Sequence, residues 1–335
     1  MHVSGEEFVL DQHESKQQFK SSRLEPDAAH GGSGWVQRKL ERPAEFGKIW
    51  SKCGANSECG KLRSVLLHRP QNVTSSEGGS RPALFSAAVD LEAAQKQFDS
   101  LVQVYRQHGV EVLEIEDEGS VYPNLMFVRD LFAMTPQGAI VSRPAGEERA
   151  GEEVIVSRTL AANHIPIVMS VFGNGYFEAS DLVFVKPTLA LIGIGLRSNR
   201  AGVQQVRSCL ELMGIEVVEI QTTYGCGHLD GVLNIVDTNK AVVYPTRLSF
   251  IAYQQLRKAG YSVIDLPDEY EASKKMAVNM VPLEPGLVLI ASGCDITRAR
   301  LRQANVESIP VEIGELMKAG GAMHCLTGIV CRDLL

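Results

Sequence analysis

Segments with the alternating pattern of β-strands recur along the chain from about residue 60 onward. Five of them begin near residues 108, 163, 213, 259 and 304, and each is introduced by a turn residue. Their spacing of roughly 45 to 55 residues lies where internal similarity marks a repeat architecture. Four are preceded by two apolar runs around a short turn, as in LFAMTPQGAIVSRP. Each of these paired runs predicts a β-hairpin.

Helical patterns lie between the hairpins and the single strands. The clearest covers Ala87 to His108, where Phe98, Leu101 and Tyr105 fall at three- and four-residue spacings and Gly109 supplies the stop. The repeating unit is therefore strand–strand–helix–strand. A fifth hairpin is predicted from the two ends of the chain, with HCLTGIVCRD beside GKLRSVLLHRP.

Five such units predict an α/β fold, a five-bladed α/β propeller of ββαβ modules around a central site. Closure into a ring leaves few exposed sheet edges, although a linear array would show the same repeat. We expect residues 60–335 to form one catalytic domain that the C-terminal strand closes. Residues 1–50 are hydrophilic, and DAAHGGSG within them is typical of a flexible linker, so they are expected to form an N-terminal extension.

Composition narrows the class of protein. The chain has 335 residues, 44% of them hydrophobic, and a net charge of −7, which disfavours a nucleic-acid partner. No apolar run approaches the roughly 18 residues of a membrane span, and the N-terminal residues lack a targeting pattern. Seven cysteines without a CxxC pair indicate a reducing compartment, so we expect a cytoplasmic protein without a metal site. The oligomeric state is left open, a homodimer being one option.

Polar side chains stand where the predicted strands of successive modules begin, and a radial fold would bring them together at its axis. They are Asn124 and Asp130 in NLMFVRD, Glu178 and Asp181 in FEASD, His228 and Asp230 in GCGHLDG, and Cys325 in HCLTGIVCRD. Each also has a structural interpretation: the acids of FEASD could cap a turn, the histidine could be a core residue, and the cysteine a buried filler. Their shared location in the repeat favours a catalytic site.

These motifs resemble those of the guanidino-group-modifying superfamily, which contains arginine deiminases, dimethylargininases and amidinotransferases. NLMFVRD resembles the deiminase motif N-L-x-F-x-R-D, FEASD resembles E-G-G-D, and HLD matches directly. HCLTGIVCRD resembles the cysteine-bearing C-terminus of the arginine deiminases, to which the motifs are closest. The resemblance covers about residues 60–335 and implies the same five-module propeller.

The resemblance implies a role for each matching residue. Cys325 would be the nucleophile and His228 the general acid/base. Asp130 and Asp230 would bind the guanidinium nitrogens, and Glu178 would hold the group from another side. No cofactor or metal is implied, and the partner is a small guanidino compound.

Three further positions correspond to substrate-binding residues of the superfamily. Asn124 falls where the deiminases have a substrate-contacting asparagine. Arg197 resembles the arginine that binds the substrate carboxylate, and Arg149 resembles a second one.

The chemistry of a guanidinium group agrees with these roles. It stays protonated near neutral pH, so its site must supply carboxylates, and three acids in one pocket would be costly without a cation. A nearby imidazolium or bound guanidinium is expected to lower the pKa of Cys325 from about 8.5. The thiolate would attack the guanidino carbon, form a covalent thiouronium intermediate and be released by water.

Three reactions remain open. Asp230 favours an unsubstituted guanidinium, hence conversion of arginine to citrulline and ammonia, because a second acid leaves little room for the methyl groups of a dimethylargininase substrate. Glu178 favours hydrolysis, whereas Ala179 and Ser180, in place of two glycines, favour an amidinotransferase. The chain is also too short for the helical insertion of arginine deiminases, and it has Gly320 and Gly321 near the position of their arginine before the cysteine.

A protein that only binds guanidino ligands is the non-enzymatic alternative. Thiol alkylation would separate the two classes, because a binding protein would not need a reactive Cys325 with a lowered pKa.

Overall fold

The structure is a computed structural model that describes residues 26–71, 84–117 and 121–335. The chain divides into two compact units, residues 1–41 and residues 42–335. The described part of the first unit contains one short 3₁₀ helix, Ala28–His30. The predicted flexible extension lies outside the described residues over its first 25 positions. The large unit begins at Arg42, earlier than the boundary near residue 60 that the repeat pattern indicated.

The described residues contain fifteen strands, arranged in five sheets of three strands each. The strands are β1 (Leu62–Leu67), β2 (Glu111–Glu114), β3 (Phe132–Thr135), β4 (Gly138–Val141), β5 (Ile167–Ser170), β6 (Leu182–Lys186), β7 (Leu189–Ile194), β8 (Glu216–Gln221), β9 (Leu233–Asp237), β10 (Lys240–Val243), β11 (Ser262–Asp265), β12 (Val281–Glu284), β13 (Leu287–Ala291), β14 (Glu307–Val311) and β15 (Gly328–Arg332).

Every sheet has the same internal order. A first strand pairs antiparallel with a middle strand, and the third strand pairs parallel with the middle one. The sheets are β3–β4–β5, β6–β7–β8, β9–β10–β11, β12–β13–β14 and β15–β1–β2. The parallel pairing requires a crossover, and a helix supplies it in each module.

The helices are α1 (Leu91–Gln107), α2 (Glu152–Ala162), α3 (Arg200–Glu211), α4 (Phe250–Lys258), α5 (Glu269–Ser273), α6 (Asp295–Gln303) and α7 (Gly314–Met317). The crossover helices are α1, α2, α3, α4 and α6, so the predicted ββαβ unit is confirmed five times. In the described part of the chain no helix is both long and apolar enough to cross a membrane.

Helix α1 illustrates how local sequence sets the bounds of an element. The Asp90 side chain accepts a hydrogen bond from the Ala93 amide and caps the first turn. Phe98, Leu101 and Tyr105 are buried as their spacing predicted, and Gly109 adopts a φ of 73° just beyond the end of the helix.

The fifth module joins the two ends of the large unit. Strand β15 pairs antiparallel with β1, with Leu62 opposite Arg332. The preceding segment adds to this pairing, because Gly54 donates to Val330 O and accepts from the Arg332 amide. The prediction that the last residues complete a module with the first ones is confirmed.

Short 3₁₀ helices carry the polar residues that precede three of the first strands. They span Val128–Asp130, Ala179–Asp181 and Leu229–Gly231. The first contacts the second, and the second contacts the third. The start of each hairpin is therefore where the modules bring their polar side chains together.

The start of β15 leaves no room for a side chain, which gives a test of the closing module. A methyl group added at Gly328 would lie 2.6 Å from Phe132 Cε1 and 2.7 Å from Val128 Cγ1, both buried. We expect Gly328→Ala to lower the free energy of unfolding by about 1–3 kcal/mol, as overpacked cores do. Urea denaturation measures this, with Gly231→Ala as control, because open space surrounds that position. Equal losses in both variants would contradict the packing argument.

Candidate active site

A cavity of about 110 Å³ lies where the 3₁₀ helices meet the turn that carries Cys325. Six of the predicted site residues line it: Asn124, Asp130, Arg149, Arg197, His228 and Cys325. Leu84, Phe127, Gly227, Ala319, Gly320 and Gly321 complete the lining. Residues more than 200 positions apart in the chain therefore share one cavity.

His228 is held between two carboxylates. Its Nε2 lies 2.7 Å from Glu178 Oε2, and its Nδ1 lies 3.8 Å from Asp130 Oδ1. Burial alone would lower the pKa of His228, but the charges of Asp130 and Glu178 outweigh it and raise that pKa to about 10. The imidazole is therefore charged at neutral pH, and both its nitrogens carry protons.

Glu178 is fully buried and remains ionised. Its Oε1 accepts hydrogen bonds from the Ala145 amide at 3.1 Å and from Arg197 Nη1 at 3.3 Å. Burial would raise the pKa of Glu178, whereas the bond to His228 and the charges of His228, Arg149 and Arg197 bring it down to about 2. Glu178 does not line the cavity, so it acts on the site from behind His228.

Asp130 is bound on both of its oxygens. Oδ1 accepts from the Ser180 hydroxyl at 2.5 Å, and Oδ2 accepts from Arg149 Nη1 at 2.5 Å. Ser180 is the residue that stands in place of a glycine in FEASD, and its contact with Asp130 gives that departure a structural reason. A carboxylate accepts up to four hydrogen bonds, so Asp130 retains capacity for a ligand.

Arg149 is buried, with its nitrogens bound within the protein. Nε donates to Glu152 at 2.8 Å, and Nη2 faces the backbone oxygens of Asn124 and Phe127. Burial raises the pKa of Glu152 to about 7 although the charge of Arg149 opposes it. Glu152 belongs to none of the sequence motifs. Its position in the first turn of α2 shows only that an acidic side chain is favourable at the start of a helix.

Arg197 is the more accessible of the two arginines. Its side chain is 21% exposed, and only Nη1 contacts Glu178. Arg149 and Arg197 both resemble arginines that bind the substrate carboxylate in the superfamily. Of the two, Arg197 is the one whose other guanidinium nitrogens can donate hydrogen bonds into the cavity.

Cys325 lies in a turn over residues 323–326, ahead of β15 and not on it. Gly321 permits this approach, because a Cβ there would lie 2.4 Å from Phe127 Cε1 and 3.0 Å from Cys325 Cβ in this packing. Burial raises the pKa of the Cys325 thiol well above its usual range, and the charges of Asp230 and Asp130 raise it further. The expectation of a lowered pKa is therefore wrong for the free protein.

Asp230 is buried and is not among the residues that line the cavity. Its Oδ2 lies 2.9 Å from His324 Nδ1 and 3.6 Å from Arg129 Nε. Burial would raise the pKa of Asp230, but the bond to His324 and the charges of His324 and Arg129 lower it. His324 lies in the same turn as Cys325 and not on a strand, which lets its ring contact Asp230.

Three of these groups could also approach one cation. Ligand atoms of Asp130, Glu178 and His228 all lie within 4.8 Å of one another. His228 is already bonded to Glu178 and carries a proton, and Arg149 occupies Asp130. A metal ion would have to displace these partners, so the arrangement favours an organic ligand.

Comparison with known proteins agrees with this geometry. The family model for N,N-dimethylarginine dimethylhydrolase, eukaryotic, matches residues 74–332. A dimethylarginine dimethylaminohydrolase from Streptomyces coelicolor is 27% identical over 239 residues, covering 71% of this chain and 86% of its own. An arginine deiminase from Rhodococcus erythropolis is 23% identical, covering 84% of this chain and 98% of its own.

A solved structure supports the fold. The DDAH mutant from Pseudomonas aeruginosa complexed with citrulline aligns with a TM-score of 0.67 at 21% identity, over 81% of this chain and 99% of that one. The resemblance to the guanidino-group-modifying superfamily is confirmed. Because the family model covers well over half of the chain, the protein belongs to the eukaryotic N,N-dimethylarginine dimethylhydrolase family.

Proposed function

We propose that the protein is a cysteine-dependent hydrolase that acts on the guanidino group of arginine or an arginine-like compound. One observation carries the proposal: a thiol, Cys325, and a charged imidazole, His228, line one small cavity with the carboxylate of Asp130. The family match and the arginine deiminase relative support the same chemistry.

The proposal includes the arrangement of the modules as a five-bladed propeller around this cavity. Contacts between successive 3₁₀ helices and the completion of one module by both ends of the large unit support it. In such a ring each module would contribute the start of its hairpin to the axis.

The charges of the site differ from those expected for an empty guanidinium pocket. Each acid already has a cation of the protein beside it: Asp130 has Arg149, Glu178 has His228, and Asp230 has Arg129. The substrate guanidinium would therefore bind the remaining lone pairs of Asp130. It would not neutralise uncompensated acids.

The raised pKa of Cys325 makes the substrate itself part of the activation. In the free protein the thiol is protonated, and His228 cannot accept its proton because the imidazole is already charged. A guanidinium bound beside the thiol lowers its pKa through the added positive charge. The proton then leaves to solvent and the thiolate attacks.

The bond changes follow from these protonation states. Cys325 Sγ forms a bond with the guanidino carbon, and His228 donates its proton to the departing nitrogen as the carbon–nitrogen bond breaks. A covalent thiouronium remains. His228, now neutral, takes a proton from water, and the hydroxide adds to the carbon. As the carbon–sulfur bond breaks, the hydroxyl proton passes to the departing sulfur, which releases the ureido product and restores the Cys325 thiol.

Arginine is the leading substrate, with ammonia as the leaving group and citrulline as the product. Methylated arginine is a second candidate because of the position of Asp230. Asp230 would exclude the methyl groups of a methylated arginine only if it bound the terminal guanidinium nitrogens. Its Oδ2 is instead bound by His324, and Asp230 does not line the cavity. The family match points in the same direction.

The function is tested by product analysis. Protein is incubated with L-arginine, with dimethylarginine, and with arginine plus an acceptor amine, and products are identified by mass spectrometry. We expect a ureido product and an acid-stable adduct on Cys325, both lost in Cys325→Ala. Transfer of the amidino group to the acceptor amine would show that the protein is an amidinotransferase and not a hydrolase. Binding of a ligand without product or adduct would show that it is only a binding protein.

The ion pair of His228 predicts a pH dependence. We expect Glu178→Gln to lower the pKa of His228, because the hydrogen bond to a carboxylate and its charge are lost. Activity of the wild type, measured as kcat/KM, should fall only above about pH 10, the pKa of His228, and that of the variant should fall at lower pH. The pH profile of kcat/KM measures this because it reports pKa values of the free enzyme, with the surface variant Glu211→Gln as control. An unchanged alkaline limb, in a variant with wild-type Tm, would contradict the role of Glu178.

The accessibility of Arg197 predicts how the carboxylate end is bound. Loss of a hydrogen bond to a charged group costs about 1.5–3 kcal/mol, or about 10- to 100-fold in affinity. Arg197→Ala should raise KM for arginine by that factor and leave KM for agmatine, which lacks the carboxylate, nearly unchanged. Arg200→Ala, exposed in the next turn, is the control. Equal effects on both substrates would rule out carboxylate binding by Arg197.

A further inference from the structure

Asn279 occupies, in the hairpin of β12 and β13, the place that carries the site residues in the other hairpins. It stands just ahead of β12, as Asp130 stands ahead of β3 and Asp230 ahead of β9. The residue is buried, with 5% of its surface exposed. The sequence contains this signal in AVNM before the run VPLEPGLVL, but the motifs of the superfamily did not point to it.

The side-chain oxygen of Asn279 holds the turn of the nucleophile. Oδ1 accepts hydrogen bonds from the backbone amides of His324 at 2.9 Å and Cys325 at 3.2 Å. The backbone oxygen of Asn279 also accepts from the His324 amide, at 3.3 Å. One residue from another module thus binds two consecutive amides of the Cys325 turn.

The nitrogen of the same amide group has a second role. Because two N–H donors face Oδ1, the other end of the amide must be Nδ2, which only donates. Burial and the charge of Asp230 raise the pKa of the Cys325 thiol, whereas the neighbouring Asn279 side chain lowers it.

Asn279 is itself held in place by a second buried asparagine. Asn234, on β9, donates from Nδ2 to the backbone oxygens of Val278 at 3.0 Å and Met280 at 2.6 Å. These oxygens flank Asn279 on both sides. The Asn279 amide donates to Met276 O at 2.9 Å. The segment that carries Asn279 is thus bound from two directions and can act as a fixed support.

We propose that Asn279 is the positioning residue of the nucleophile: its oxygen fixes the turn that presents Cys325 to the cavity, and its amide nitrogen donates to the sulfur as the thiolate forms. The inference rests on the proposed function for the identity of Cys325 as the nucleophile. It goes beyond that function in assigning this role to the hairpin of β12 and β13. Every hairpin then places a predicted catalytic or positioning group ahead of its first strand, Glu178 serving the hairpin of β6.

Two substitutions at Asn279 separate the roles of its two ends. Asn279→Asp keeps an oxygen for the two backbone amides but replaces the N–H donor by a carboxylate. Asn279→Ala removes both ends. Each variant is treated with iodoacetamide from pH 6 to 11, and mass spectrometry follows alkylation of Cys325. Tm reports on folding, and kcat and KM are measured on arginine and dimethylarginine.

We expect Asn279→Asp to keep a Tm near wild type and to alkylate Cys325 more slowly than wild type at each pH. Its kcat should fall by about tenfold or more with little change in KM, since about 1.4 kcal/mol corresponds to a factor of ten. Asn279→Ala should lose both Tm and kcat. Asn124→Asp, which adds the same charge to the cavity that Cys325 lines, controls for the local charge.

An alkylation profile of Asn279→Asp that matches that of the wild type overturns the proposal. An equal change in Asn124→Asp would also overturn it, because the effect would then be that of a charge added near the thiol. Alkylation needs no substrate, so a shifted profile in a protein that turns over neither arginine nor dimethylarginine would refute the proposed function while the positioning role stands.

Discussion

The paired charges around His228 are the constraint on which the site depends. Burying an imidazolium is costly, and it is tolerated here because Glu178 binds Nε2 and Asp130 faces Nδ1. Arg149 in turn compensates Asp130 and is itself bound by Glu152. These groups come from different modules of the chain. The relative positions of the modules are therefore set by the requirement that no buried charge is left without a partner.

This network raises the pKa of the Cys325 thiol while it keeps His228 protonated. The same carboxylates that hold the proton on His228 also oppose ionisation of Cys325. The two protonation states are coupled through Asp130. A positively charged ligand beside the thiol would favour ionisation of Cys325, because it offsets the negative charge of the carboxylates. In the proposed mechanism a guanidino group supplies that charge, so binding of the substrate and activation of Cys325 would be one event.

The starts of the hairpins and the turn at Cys325 both bring polar side chains to the site, but they do so in different ways. Successive hairpins begin with 3₁₀ helices or turns, which place polar side chains at the hairpin starts without interrupting the sheets. Glycines complete the arrangement at the last module, where Gly321 lets the turn approach Phe127 and Gly328 lets β15 pack against Phe132. Larger side chains at either position would move Cys325 or the strand that follows it.

The sequence by itself determined the modules and the chemistry-bearing positions. The period-two runs and turn residues predicted all five ββαβ units, because strand alternation and crossover helices are local patterns. The same reasoning found Cys325, His228 and Asp130, since polar residues ahead of apolar strands stand out along the chain. Only the tertiary structure decided which hydrogen-bond and ion-pair partners these side chains have. That Asp230 binds His324, that Arg149 binds Asp130 and Glu152, and that the thiol pKa is raised all depend on burial and on charges from distant segments, which no local pattern records.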